Sequence, residues 1–435
     1  MPEVSFEDKR HFFMTLCKVT LFFNQNPQLI SLMQDMFTTN HLMAQQVTAE
    51  FDRYVEELMS FINSYSSIDI LTPSRVRADP DRIYIDGCWD IMHSGHFNAI
   101  RQAKMLGKVL VVGVHNDEEI MRNKGMPVMT NQERLSMVRA CKWADEVVEN
   151  APYSATEEWL DSLNCRYIAH GDDIALNQEG VDAYSQLKTA GRFKIIKRTE
   201  GISTTMIVGK LLLMTMENKA SVSEPFTATD INHKSNFITT TRRISEFANR
   251  TRRPEGKIVY VDGSFDLFHI GHVETLKKAK ELGDFLIVGV HDDLTVNQHK
   301  GSNYPIMNLY ERVLNVLAVK YVDEVVIAAP WNVTEDLLKS LNIQLVVQGS
   351  ISKLDVEHSI RRKQSLEYND QEEDPYLLPK ALGIYQEVQS ESELETQHII
   401  QRIIENRLKV LNKYQKSSKK EQNYYESSKT YVEEL

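Results

Sequence analysis
The sequence predicts an α/β protein: two tandem domains built on parallel sheets, preceded by a mainly helical N-terminal extension. Three observations carry this: a long internal repeat, strand–helix alternation inside each copy, and matched helix-start signals. Asp86-Gly-Cys-Trp-Asp-Ile-Met-His93-Ser-Gly-His96 returns as Asp262-Gly-Ser-Phe-Asp-Leu-Phe-His269-Ile-Gly-His272, 176 residues later. At the same offset Val111-Val-Gly-Val-His-Asn-Asp117 returns as Ile287-Val-Gly-Val-His-Asp-Asp293, and Lys124-Gly125 as Lys300-Gly301. After a two-residue insertion the offset becomes 178, and Glu133-Arg134 matches Glu311-Arg312 while Asp145-Glu-Val-Val148 matches Asp323-Glu-Val-Val326. A repeat of this length is a whole domain.

Within the first copy, Arg82 to Ile85 and Val109 to Val114 are β-branched runs that read as strands. His96 to Leu106 reads as a helix, and a further helix starts near Asn131 behind the capping box Thr130-Asn-Gln-Glu133, matched by Asn308-Leu-Tyr-Glu311. Such alternation implies βαβ units with ligands at the carboxyl ends of the strands. The expected boundaries are a helical extension over 1–80, a first domain over 81–217, a linker over 218–256, a second domain over 257–415 and a polar tail over 416–435. In the extension, Phe51, Val55, Leu58 and Ile62 share one helical face, which suits packing on the first domain or on a second subunit of a homodimer. The linker carries Arg242, Arg243, Arg250, Arg252 and Arg253, read as a solvated or interdomain cluster rather than a phosphate site.

Composition narrows the function classes. With 435 residues and 42% hydrophobic content the chain fills ordinary cores, and a net charge of −11 argues against coating nucleic acid or an anionic membrane. Cys17, Cys88, Cys141 and Cys165 show neither disulfide nor zinc spacing, and Phe12 to Phe23, interrupted by Lys18, is too short to span a bilayer. A reducing, cytoplasmic setting is the expectation, with no nucleic-acid partner and no stable membrane insertion.

The chemistry-bearing residues recur with the repeat. His93 and His96 stand three apart directly after a strand, at the first turn of a helix whose free N–H groups and partial positive charge suit phosphate. Lys124, beside Gly125, is a movable point charge in a loop. Arg198-Thr-Glu-Gly201-Ile-Ser203-Thr204-Thr205 joins an arginine, a glycine turn and a hydroxyl N-cap ahead of an apolar helix, a second anion site. His170-Gly-Asp172-Asp173 follows the strand-like Cys165 to Ala169. It can read a base or ribose, or assist a metal–phosphate complex; the sequence leaves both open.

Together these residues resemble the nucleotidylyltransferases with an HxGH signature and, within them, the cytidylyltransferases of phospholipid synthesis. Asp-Gly-aromatic-Asp leading into HxGH, the Lys-Gly loop and RTEGISTT carry the likeness over about Arg82 to Leu411, and the doubled unit resembles the ethanolamine-phosphate branch. The resemblance implies two Rossmann-like nucleotidyltransferase domains that convert CTP and phosphoethanolamine into CDP-ethanolamine and pyrophosphate, with Mg²⁺ entering on CTP and no dedicated metal ligands. It implies catalytic roles for His93, His96, Lys124 and Arg198. Asp86, Gly87, Cys88, His170, Gly171, Asp172, Thr199, Gly201, Ile202, Ser203 and Thr204 would then line the CTP pocket. The amine pocket has Trp89 and Asp90 as candidates by proximity alone.

The second copy keeps His269, His272 and Lys300. His170-Gly-Asp172 becomes Gln348-Gly-Ser350, however, and RTEGISTT aligns with Gln389-Ser-Glu-Ser-Glu-Leu-Glu-Thr396, setting Gln389 opposite Arg198 and Glu395 opposite Thr204. Glutamates there repel a triphosphate, so the second domain is expected not to turn over. Ile399, Ile400, Ile403, Ile404, Leu408 and Leu411 suggest a last core helix rather than a membrane sensor. Phosphocholine is the competing substrate; a nucleotide sensor is a competing role for the second copy.

Overall fold
A computed structural model describes residues 78–217, 237–248, 256–301, 304–349, 374–426 and 432–434. The expected helix through Phe51 to Ile62, the whole of 1–77, and Arg250, Arg252 and Arg253 of the linker lie outside the described residues. The first repeat runs β1 (Asp79–Gly87), α1 (Ser94–Met105), β2 (Val109–Val114), α2 (Asp117–Asn123), α3 (Asn131–Ala140), β3 (Glu146–Glu149), α4 (Glu157–Ser162), β4 (Cys165–Gly171), α5 (Ser185–Thr189), β5 (Phe193–Ile196) and α6 (Thr204–Glu217). After α7 (Thr241–Phe247) the second runs β6 (Ile258–Gly263), α8 (Ile270–Glu281), β7 (Phe285–Val290), α9 (Asp293–Lys300), α10 (Leu309–Leu317), β8 (Glu324–Ile327), α11 (Glu335–Ser340), β9 (Leu345–Gly349), α12 (Leu377–Ala381), β10 (Tyr385–Val388) and α13 (Thr396–Glu405), and α14 (Arg407–Glu426) follows.

Each repeat forms one five-stranded parallel sheet, in the orders β3-β2-β1-β4-β5 and β10-β9-β6-β7-β8, the same topology twice. The α/β class with tandem parallel sheets is thus as expected. Both β1 and β6 are central, so the chain reverses direction across the sheet beside them, and the crevice at their carboxyl ends is where ligands bind in such sheets. The strands read as expected from β-branched runs buried on both faces: Leu110, Val111, Val112 and Val114 of β2 are all fully buried. Gly113 is obligatory, because a Cβ there would collide with the Tyr84 hydroxyl, and Gly289 stands in the same relation to Tyr260.

Several boundaries differ from expectation. β1 starts at Asp79, three residues before Arg82 and inside the segment assigned to the extension. The linker contains α7, capped by Thr240, whose side chain accepts from the Arg243 N–H. The last apolar stretch breaks at Asn406: Ile399, Ile400 and Ile403 of α13 are buried, whereas Leu408 of α14 is 78% exposed. Over 416–426 the expected polar tail is a continuation of α14. Among the described residues no helix is long and apolar enough to cross a membrane.

The repeats face each other about a pseudo-twofold axis. Lys142 N–H donates to Ala318 O and Lys320 N–H to Ala140 O, each at 3.0 Å, reciprocal bonds related by the 178-residue offset around the bridge of Cys141 to Val319. A single hydrophobic cluster runs from Ile83 to Val410 through both sheets, and each sheet carries a smaller cluster of its own on the opposite face, around Tyr84 and Leu160 or Tyr260 and Leu338. The arrangement is that of an isologous dimer fused into one chain.

Candidate active site at the carboxyl ends of the first sheet
β1 ends at Asp86 and Gly87, and the chain then turns through Trp89 and Ile91, both left-handed at φ 53° and 45°. Phe265 and Leu267 repeat the turn at φ 49° and 45°. Backbone held this way by non-glycine residues costs energy and persists only when its surroundings impose it. Here Asp90 imposes it, its carboxylate accepting from the N–H groups of Val128 (3.0 Å) and Met129 (2.9 Å) in the loop beyond Lys124. The fully buried Arg134 adds bonds to the carbonyls of Cys88 (2.7 Å) and His115 (2.8 Å) and an ion pair with Asp117 (2.7 Å). Trp89 is buried with its indole N–H on Gly113 O at 2.8 Å. The Trp89 indole N–H and the Asp90 carboxylate are thus engaged within the turn, and Asp90 already has the Lys413 ammonium at 3.7 Å.

His93 is the N-cap of α1 rather than part of it. Its Nδ1 accepts from the Gly95 N–H at 3.1 Å, which leaves the proton of the neutral ring on Nε2. That nitrogen lies 3.4 Å from the Thr204 hydroxyl, itself bonded to Asp90 O at 3.2 Å. The His96 ring stacks on His93 at 4.0 Å, with its buried Nδ1 unpartnered. Burial first, then the neighbouring His96 and Arg198, hold His93 well below the ordinary histidine range; burial, Lys124 and Arg198 lower His96 to about 3. Both imidazoles are thus neutral hydrogen-bond donors, and the positive charge bearing on them comes from Lys124 and Arg198. Gly95 is small for a different reason than ligand approach alone: a Cβ would stand 2.9 Å from the His93 ring and 3.3 Å from Ile202.

Lys124 caps α2, exposed, with its ammonium 5.6 Å from the Tyr153 ring centre. Asp86 is buried and accepts from the Tyr184 hydroxyl at 2.6 Å; burial drives its carboxyl up to about 7 against Tyr184 and Lys124. At the end of β4, His170 packs on Tyr184 at 4.6 Å and is lowered chiefly by burial, while Gly171 and Asp172 follow, half-buried. Cys88 is a free thiol, half-buried. Beyond β5, Arg198 N–H donates to Asp172 (3.3 Å), Gly201 takes φ 76°, and the Ser203 hydroxyl accepts from Met206 N–H (3.0 Å) as N-cap of α6. Thr199 and Ile202 are buried: Thr199 accepts from Asn98 at 2.9 Å, and Ile202 joins the core. Those two shape the loop from inside rather than face the crevice.

Sequence reasoning missed two groups. Tyr184 was visible only as a tyrosine recurring at Tyr376, which donates to Asp262 at 2.5 Å. Nothing local announced α14, which crosses the first repeat's crevice: Glu421 pairs with Arg198 at 2.7 Å and accepts from Ser203 at 3.1 Å, and the Tyr424 hydroxyl donates to Asp172 at 2.8 Å.

The second repeat repeats the frame. Asp266 accepts from Ile306 and Met307 N–H groups at 2.7 and 3.0 Å, and Thr396 bonds Asp266 O at 3.1 Å and stands 3.5 Å from His269. The His269 and His272 rings lie 3.9 Å apart, tilted by 32°, and Lys300 ends α9, its charge lowering both rings after burial has done most. Thr396 therefore matches Thr204, not Thr205, and the expected alignment moves by one residue: Ser390 stands opposite Arg198, and Glu395, the α13 N-cap, opposite Ser203. An alignment across unmatched residues has no physical constraint on register, whereas the threonine-to-carbonyl bond sets it.

A family model described as cytidylyltransferase-like matches residues 84–210 and again 260–425. The ethanolamine-phosphate cytidylyltransferase of Dictyostelium discoideum is 51% identical over 80% of this chain and 98% of its own length. The chain belongs to the cytidylyltransferase-like family, among the ethanolamine-phosphate cytidylyltransferases. The mouse member, from Mus musculus, is 41% identical over 80% of this chain and 92% of its own. By contrast, choline-phosphate cytidylyltransferase 2 of Arabidopsis thaliana is 43% identical over only 31% of the chain and 45% of itself. At 80% of this chain the first two matches extend across both repeats, whereas a 31% match does not.

Proposed function
We infer that the first repeat transfers the cytidylyl group of CTP to phosphoethanolamine, yielding CDP-ethanolamine and pyrophosphate for phosphatidylethanolamine synthesis. The observation that carries the reading is the meeting of stacked neutral imidazoles, Lys124 and the Arg198–Ser203 turn around one strand-end crevice. A phosphoethanolamine oxygen attacks the α-phosphorus of CTP in line; the bond to the α–β bridging oxygen breaks, and its electrons leave with pyrophosphate. The residues place the reactants and stabilise charge, with no covalent intermediate on the chain. His93 Nε2–H and His96 donate to the phosphates, Lys124 and Arg198 neutralise the charge that shifts to the leaving group, and Ser203 and Thr204 border the far side.

Mg²⁺ entering with CTP would supply neutralisation of the phosphate charge. Asp173 fits as an oxygen donor toward its water shell: against burial, which works the other way, His170, then Arg198 and Lys124, hold the carboxyl below the ordinary aspartate range. In the second repeat Ser390 supplies no cation and Glu395 adds a negative charge, which argues for a structural partner rather than a second catalyst.

Turnover with CTP and Mg²⁺, offered phosphoethanolamine and phosphocholine in separate reactions, tests the assignment. Strong preference for phosphoethanolamine is expected; equal or better use of phosphocholine overturns it. The second repeat also bears on the first through Arg402 of α13, which makes a bidentate pair with Glu133 at 2.7 and 2.8 Å at the base of the Lys124 loop. Losing this half-exposed pair removes ~1 kcal/mol, so Arg402→Ala should raise the KM for CTP about fivefold with kcat nearly kept. Steady-state kinetics with CTP varied reads this directly.

A further inference from the structure
We propose that α14 is an autoinhibitory strap whose Glu421 carboxylate holds the place of a CTP phosphate, so that nucleotide and strap exclude one another. The proposal rests on the reading of Arg198 and Ser203 as phosphate ligands. One Glu421 oxygen pairs with the Arg198 guanidinium at 2.7 Å, and the other accepts from the Ser203 hydroxyl at 3.1 Å. Two acceptor oxygens bridging an arginine and a helix-capping serine is the pattern a phosphate would make there. Tyr424 completes the cover, its ring 4.9 Å from the Arg198 guanidinium and its hydroxyl 2.8 Å from Asp172. Glu421 is only 12% exposed, so this is an inserted carboxylate rather than a passing surface pair.

The strap is built to lift. Its start is anchored: Val410 is buried, the Tyr414 ring lies on Gly209, where a Cβ would stand 2.8 Å from it, and Lys413 donates to Met126 O at 2.8 Å beside Lys124. Past its far end Glu434 is held by Asn98 at 2.8 Å and Arg243 at 2.6 Å. Between these anchors the described contacts of Glu421 and Tyr424 with the first repeat are charged, polar or aromatic–cation, and a triphosphate with Mg²⁺ offers Arg198 and Ser203 a stronger partner than one carboxylate. Release of 416–426 uncovers little apolar surface, since Val410 is the buried residue of α14. A competing strap reduces apparent affinity by the fraction of molecules that are open, and leaves the chemical step alone.

The test uses the full chain with Glu421→Ala and Tyr424→Phe. For each the expected result is a KM for CTP lowered by about three- to tenfold at unchanged kcat. In the parent chain, saturating CTP should speed hydrogen–deuterium exchange over 416–426. A raised KM, a fall in kcat, or slower exchange on CTP binding would mean that α14 closes on the nucleotide instead, and overturns the proposal. Normal turnover with neither variant shifting KM overturns the strap while leaving the assigned activity standing; absence of turnover with CTP and phosphoethanolamine in parent and variants alike sinks the activity, and calorimetric CTP affinity of Glu421→Ala against the parent then still decides the strap.

Discussion

His96→Ala lowers turnover by two to three orders of magnitude, and His272→Ala leaves it within about threefold, if the first repeat is the catalyst, as removal of one preorganised donor to a developing charge predicts. The two histidines hold equivalent places, each against the N-cap imidazole before it, at 4.0 Å (stacked) and 3.9 Å (tilted). Their surroundings differ. His96 lies in the fields of Lys124 and Arg198 and keeps an unpartnered buried Nδ1, whereas His272 Nδ1 accepts from the His269 N–H at 3.3 Å and has a lysine but no arginine nearby. Initial rates with saturating CTP and phosphoethanolamine separate the cases. Comparable loss in both variants would mean that the second site also turns over, and loss in His272→Ala alone would reverse the assignment. Because both active-site imidazoles stay neutral far below pH 7, kcat should show no limb from their titration near pH 6.5.

Stability, in contrast, should depend steeply on pH. Burial lowers seven described histidines: His93, His170 and His272 by direction, His96 and His269 to about 3, and His115 and His291 to about 4. Each has a folded value below its unfolded one near 6.5, so the unfolded chain takes up more protons as pH falls, and stability present above pH 6.5 is lost below it. Asp86 and Asp262, raised to about 7 by burial, act with opposite sign: each stabilises the fold increasingly as pH drops from about 7 towards 4. From pH 6.5 to 5.5 the seven histidines lose stability while Asp86 and Asp262 recover part of it, and with seven groups against two the net is a loss. Urea unfolding followed by circular dichroism across that range measures it, and a flat or rising midpoint on acidification refutes it. His115→Gln, which removes one contributor outside the catalytic pair, should reduce the slope.

The repeat made the architecture legible. Matched strand, HxGH turn and capping-box signals are local, since each is decided by residues within a turn or a strand of one another, and the structure reproduces them in both copies down to the φ values after β1 and β6. The same locality explains what was missed. The sequence does not show that Gly113 O and two amides beyond Lys124 engage the polar atoms of Trp89 and Asp90. The one-residue shift at Thr396 arose where no residue identities pinned the alignment.

By itself, then, the sequence determined the doubled α/β fold, the family, and the identity of the imidazoles, the lysine and the arginine around the first strand end. Tertiary structure alone decided that His93 caps its helix and donates through Nε2, that Asp86 is paired with Tyr184, and that Glu421 lies on Arg198 across 223 residues of chain. The reason is physical. Hydrophobic period and capping chemistry are written into neighbouring positions, but a buried hydrogen bond or ion pair between distant segments depends only on where packing brings two polar atoms together, and neither residue carries a mark of the other.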